Sequence, residues 1–186
     1  MHKYIVFIRG INGGLTLKMS SLRELFDNLG LRDSKTVLAT GNIIFETAQS
    51  DKKILARQIE QAIDRVYNYQ TVAVLYTEAE LRLLIKADPF RGITSTSQRS
   101  HQVSFIQKGS GRLPFDLPHD VPQKGYKVIC QVGDTICSLM DLSGATRPDL
   151  LAVLDRAFNK QVTTRNWKTV ERCCQAMEKY GNEQSP

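Results

Sequence analysis

Tyr4-Ile5-Val6-Phe7-Ile8 runs straight into Arg9-Gly10-Ile11-Asn12-Gly13-Gly14 near the start of the chain. The apolar, largely β-branched run reads as a strand, since such side chains suit a pleated, half-buried surface. The glycines that follow read as a turn, because glycine reaches backbone conformations closed to other residues. Working outward, Leu22, Leu25, Phe26 and Leu29 fall on one face of a helix that Gly30 ends. Ser21-Leu22-Arg23-Glu24 has the form of a capping box at its start. Thr36–Ala39 and Ile43–Glu46 read as strands around the turn Thr40-Gly41-Asn42. A helix over about Asp51 to Tyr67, with Leu55, Ile59, Ile63 and Val66 on one face, and a strand Val72–Tyr76 complete the order β-α-β-β-α-β. That order defines a ferredoxin-like split unit, here residues 1–77.

The remainder, 78–186, repeats part of the theme. Thr77-Glu78-Ala79-Glu80 is a second capping box, opening a helix that Asp88-Pro89 stops. A polar loop, Thr94–Ser100, leads to a strand Gln102–Ile106, and the proline-bearing stretch from Lys108 to Gly125 reads as irregular. Tyr126–Val132 and Thr135–Met140 flank Gly133-Asp134 as a hairpin. Pro148 suits the first turn of a helix carrying Leu150, Leu151, Leu154 and Phe158. Gln161–Thr163 reads as a short strand. The last helix, from about Asn166 to Tyr180, places Trp167, Val170, Cys174 and Met177 at helical spacing. The expected fold is therefore α+β: a tandem of two ferredoxin-like halves with antiparallel sheets, the second bearing an extra C-terminal helix.

Composition narrows the classes of function. The 186 residues are 41% hydrophobic and 24% charged, ordinary globular material. No apolar run approaches the roughly 20 residues that span a bilayer, and the first residues enter a strand with no signal-peptide pattern. A cytoplasmic protein without membrane partners is the expectation. The net charge of +6 is spread singly or in short pairs such as Lys52-Lys53, not gathered into a basic run. The cysteines Cys130, Cys137, Cys173 and Cys174 lack paired C-x-x-C spacing, and no H-x-x-x-H pattern occurs, so no metal site and no cofactor is expected. His2, His101 and His119 lie at a terminus or beside irregular stretches, without a nucleophile motif, and no catalytic residue is assigned.

Binding chemistry has more to go on. The loop Arg9–Gly14 could present backbone N–H groups to a phosphate or carboxylate, with Arg9 or Lys18 adding charge. It is neither a Walker loop nor a dinucleotide fingerprint, and the alternative is that Gly10, Gly13 and Gly14 only turn the chain. Arg165-Asn166-Trp167 sits at a helix start, where the dipole favours anions and a guanidinium forks onto carboxylate or phosphate. Asn166 reads as the cap, and Trp167 as core or as a stacking surface. Thr40-Gly41-Asn42 is most simply a turn.

These residues carry a resemblance. Arg9-Gly10-Ile11-Asn12 with Gly13-Gly14, Lys18-Met19, Gly41-Asn42 and Thr164-Arg165-Asn166-Trp167 resemble a bacterial family known as domain of unknown function 1697. The resemblance runs over nearly the whole chain, and it implies the same tandem of ferredoxin-like units with no agreed activity. The expected shared site is Arg9, Gly10, Asn12, Gly13, Gly14, Lys18, Gly41, Asn42, Arg165, Asn166 and Trp167, binding a small anionic ligand. RNA or DNA binding is the alternative, with Tyr4, Phe7 and Phe45 as strand aromatics. An enzyme acting on a phosphorylated metabolite is the third reading.

Overall fold

The computed structural model describes residues 1–11, 13–144 and 148–180. It is a mixed α+β structure with two antiparallel sheets, of four and five strands, and five α-helices among the described residues. The chain divides into two compact units, Met1–Leu81 with Arg172–Pro186, and Arg82–Glu171.

The first unit runs β1 (His2–Ile8), α1 (Met19–Asn28), β2 (Arg32–Thr36), β3 (Asn42–Thr47), α2 (Lys52–Tyr67) and β4 (Ala73–Thr77). Its strands lie in the order β2-β3-β1-β4, each antiparallel to its neighbour. β1 is interior to the sheet, and every side chain from Tyr4 to Ile8 is buried. Tyr4, Val6 and Ile8 share a core with Leu22, Leu25 and Phe26 of α1 and Leu55, Ile59 and Ile63 of α2. Ile5 and Phe7, on the opposite face, are buried as well. A strand buried on both faces has no place for alternating polar residues, which is why β1 is an unbroken apolar run. Each such side chain taken fully out of water is worth about 1.5–3 kcal/mol.

The helix ends show which local signals were used. Asp51 caps α2, its carboxylate accepting from the backbone N–H of Lys53 at 2.7 Å and of Ile54 at 3.2 Å. Its stripe is shorter than expected, because Val66 is 61% exposed. α1 begins at Met19 with Lys18 in the cap position, so Ser21 lies inside the helix and the expected capping box is not made. The box at Thr77 is made. Glu80 accepts from the Thr77 N–H at 2.7 Å, while the Thr77 hydroxyl accepts from the Glu80 N–H at 3.3 Å. It opens α3 (Glu78–Ala87).

β2 departs from the expected Thr36–Ala39. Leu38 has φ 61°, in the left-handed region, and the ladder with β3 ends before it, at Thr36 opposite Ile43. The pairing instead uses Arg32–Thr36, with a register shift between Arg32 and Lys35 and Asp33 at φ 54°.

The second unit contains the rest of α3, then β5 (Arg99–Ile106), β6 (His119–Val121), a 3-10 turn at Pro122–Lys124, β7 (Tyr126–Val132), β8 (Thr135–Asp141), α4 (Leu150–Ala157) and β9 (Val162–Asn166). The sheet order is β6-β7-β8-β5-β9. Leu150 and Leu154 of α4, with Phe158, pack on Ile106, Val128, Ile136 and Val162. α4 starts after Asp149, so Pro148 precedes the helix instead of entering it, and Leu151 is exposed. Between β5 and β7 the chain supplies β6 and the 3-10 turn where the first unit has α1. Two of the expected boundaries shift. β5 starts at Arg99, taking in residues read as loop, and β9 runs on to Asn166.

Helix α5 (Trp167–Tyr180) starts in the second unit and counts with the first from Arg172. Its last described residue, Tyr180, is 2% exposed, and its hydroxyl donates to the Asp33 carbonyl at 2.8 Å. The irregularity in β2 turns that carbonyl away from the ladder, and the tyrosine takes it up. Lys35 and Lys3 lie over the tyrosine ring at 5.3 and 6.0 Å. Tyr180→Phe should destabilise the protein by about 0.5–1.5 kcal/mol, the net worth of the hydrogen bond lost. Urea unfolding followed by circular dichroism measures it.

Candidate functional site

The loop after β1 is wired to itself. The Gly10 carbonyl accepts from the backbone N–H groups of Gly13 at 3.2 Å, Gly14 at 2.7 Å and Leu15 at 2.9 Å. The N–H groups of Gly13 and Gly14 that an anion would need are thus directed at a carbonyl. Arg9 is held through its backbone, donating to the Val72 carbonyl at 2.9 Å and accepting from the Thr71 hydroxyl at 2.6 Å. A Cβ on Gly10 or Gly14 would meet the Tyr69 hydroxyl, so the missing side chains make room for that ring. Asn12 lies outside the described residues. Lys18 is exposed ahead of α1.

Gly41 and Asn42 join this loop. Gly41, at φ +73°, accepts from the Ile8 N–H at 2.8 Å, and its bare Cα faces Ile11. Asn42 is fully buried, its amide donating to the Val37 carbonyl at 3.0 Å and the Thr40 hydroxyl at 2.9 Å. The structure brings Arg9–Ile11, Gly41 and Asn42 together in the first unit, chiefly through backbone bonds and close packing.

Arg165, Asn166 and Trp167 belong to the second unit. Arg165 is in β9, and its guanidinium folds back onto the Thr163 hydroxyl and the Thr164 carbonyl, both at 2.9 Å. Asn166 caps α5, accepting from the Thr169 N–H at 2.8 Å and its hydroxyl at 3.0 Å. Trp167 is half-buried and meets Phe90 edge-on at 5.3 Å. Phe90 in turn stacks on His101, ring centres 4.5 Å apart and planes within 4°. His101 is buried, and its Nε2 has no hydrogen-bond partner among the described residues. Burial, then the Arg99 charge, lowers the pKa of this imidazole, with Glu171 opposing.

Other reactive groups are already engaged. The Glu80 carboxylate takes the Lys52 ammonium at 2.5 and 2.6 Å besides its two bonds from Thr77. Burial raises its pKa, but these bonds outweigh burial and hold it below the ordinary value. Tyr4, Phe7 and Phe45 are buried, so none of these rings offers a face to a nucleic-acid base. No disulfide joins Cys130, Cys137, Cys173 or Cys174. No group of three or more His, Cys, Asp or Glu among the described residues is placed to hold a metal ion. No helix among them is long and apolar enough to cross a membrane.

The sequence reading missed a cleft of about 450 Å³ in the second unit. It opens on the sheet face away from α4, where Arg99 stands opposite Asp141 and Leu139 opposite both His101 and Lys127. Ile93, Ile129 and Leu139 give it an apolar, half-exposed floor. Lys127 pairs with Asp120 at 2.9 Å across one wall. Asp141 accepts from the Ser143 N–H at 2.9 Å and hydroxyl at 2.5 Å. These bonds, with Arg99 assisting, hold its carboxyl below the ordinary range. Arg99 is bonded through its backbone to Thr96, while its guanidinium makes no hydrogen bond or ion pair among the described residues. The signal was the alternation through β5, which puts Arg99 on the face of His101 and Val103; reading Arg99 as loop concealed it.

The family model of a protein of unknown function, DUF1697, matches residues 1–114, and the chain belongs to that family. Among solved structures, the fold is similar to that of the conserved bacterial protein SP0830 from Streptococcus pneumoniae. The TM-score is 0.66 at 20% identity, covering 96% of this chain and 99% of that one. A comparison with curated proteins gave no match.

Two outcomes follow from this geometry. Gly41→Ala should cost about 1–3 kcal/mol, since a Cβ at 2.8 Å from Ile11 adds overlap to a left-handed backbone; thermal unfolding measures it. As pH falls below 6.5, the unfolded chain takes up a proton that folded His101 resists, so stability present above that value is lost. The melting temperature should fall between pH 7 and 5, and His101→Leu should flatten that slope.

Proposed function

We propose that the protein is a binding module for a small ligand bearing a carboxylate or phosphate, held in the cleft of the second unit. The observation that carries this reading is the exposed Arg99 guanidinium, which makes no hydrogen bond or ion pair among the described residues, beside an apolar floor. A guanidinium forks onto carboxylate or phosphate oxygens, and a cleft of this size falls in the range of small-molecule sites. In this reading the glycine loop and the Arg165 segment are structural within their own units, since polar groups of each bond to the chain itself.

The same proposal takes the chain as a tandem of ferredoxin-like halves, 1–77 and 78–186. Its support is that β7-β8-β5-β9 repeats the order β2-β3-β1-β4, with α4 before the last strand as α2 is in the first sheet. The second half has replaced its first helix by β6 and irregular chain. Four cysteines with no disulfide suit a reducing cytoplasm.

The test is a thermal-shift screen with carboxylates, phosphates and nucleotides, run on the native chain and on Arg99→Ala and Arg165→Ala. A ligand at about 100 times its Kd adds about 2.7 kcal/mol of stability. The expected result is a shift abolished by Arg99→Ala and kept by Arg165→Ala. A shift lost in Arg165→Ala and kept in Arg99→Ala would move the site out of the cleft.

A further inference from the structure

We infer that the ligand of this cleft is a zwitterion, a free α-amino acid with an apolar side chain. The inference rests on the reading of the cleft as a small-ligand site and adds the class of ligand. Four charged side chains line it: Arg99, Lys127, Asp120 and Asp141. Lys127 and Asp120 neutralise each other in their ion pair. That leaves one cation and one anion, Arg99 and Asp141, and they are directly opposed in the β5–β8 register. Opposed residues of an antiparallel pair have Cβ atoms about 4.5–5.5 Å apart on the same face. Even so, the two make no ion pair with each other among the described residues.

The difference in reach explains how a ligand fits between them. Arginine carries its charge far from the backbone, while aspartate holds its charge close and is further tethered by Ser143 through Oδ1. The other carboxylate oxygen, Oδ2, keeps its acceptor capacity. An α-amino acid bears a carboxylate and an ammonium on one carbon. The carboxylate accepts the guanidinium fork and the ammonium donates to Asp141. Its side chain then lies on Leu139, Ile129 and Ile93. A phosphate dianion fits less well, because the lining charges cancel and two carboxylates face it.

Calorimetric titration of the full chain tests this with L-leucine, N-acetyl-leucine, leucinamide and inorganic phosphate as probes, on the native protein, Asp141→Asn and Arg99→Ala. The expected result is leucine binding, weakened at least about tenfold by blocking either end, a loss of about 1.4 kcal/mol. Asp141→Asn should bind leucine and N-acetyl-leucine alike, and Arg99→Ala should bind neither. The asparagine Oδ1 preserves the bonds from Ser143, so the variant keeps the local fold. N-acetyl-leucine or phosphate binding as tightly as leucine, still dependent on Arg99, would overturn the zwitterion and leave the cleft reading standing. No binding of any probe, or binding indifferent to Arg99→Ala, would overturn both.

Discussion

Five consecutive side chains, Tyr4 to Ile8, leave water together, and the first unit is arranged so that they can. An interior strand with both faces covered needs a pairing strand on each side; β3 and β4 supply them. It needs amphipathic helices on one face, and α1 and α2 meet that need through stripes at helical spacing. It also needs an abrupt exit, because the chain must turn before its apolar content runs out. Gly10 gives that exit, and its carbonyl gathers the N–H groups of Gly13, Gly14 and Leu15 into a closed knot.

That knot changes how a glycine-rich loop is to be understood. The same residues that would cradle an anion are those that a compact turn requires, since both uses demand small residues and convergent N–H groups. Where the N–H groups converge on a carbonyl, the loop's polarity is spent internally. Gly41 and Asn42 follow the same logic: one leaves room for Ile11, and the other, itself buried, bonds to the bend that precedes it. Arg165, too, bends back on its own strand. In the cleft, by contrast, the Arg99 side chain is exposed and makes no hydrogen bond or ion pair among the described residues.

Much of the architecture was legible because its causes are local. Asp51 and the Thr77–Glu80 pair announce their helices through bonds made within three residues. The hairpin at Gly133-Asp134 announces itself through a glycine at φ +57°. β2 was misplaced because Arg32–Thr36 is an edge strand of polar residues, with no apolar alternation to mark it, whereas Val37-Leu38-Ala39 looks like one. Gly41 lies against Ile11, since turn residues beside buried strands share a sheet end, while Arg165, Asn166 and Trp167 of the expected shared site belong to the second unit. The cleft was not legible. It depends on the register that sets Arg99 against Asp141 and Lys127 against Leu139, and register is decided by pairing far along the chain.

The division of the chain bears on how it is made. The first unit is discontinuous: Arg172 to Tyr180 rejoin it after the whole of the second unit has intervened. During synthesis the nascent first sheet therefore emerges without the helix that takes up the Asp33 carbonyl. The ribosome has to deliver every strand of the second sheet before that helix exists. The second unit, contiguous from Arg82 to Glu171, can close while its neighbour still waits for its final segment. The part of the protein translated first is thus the part completed last.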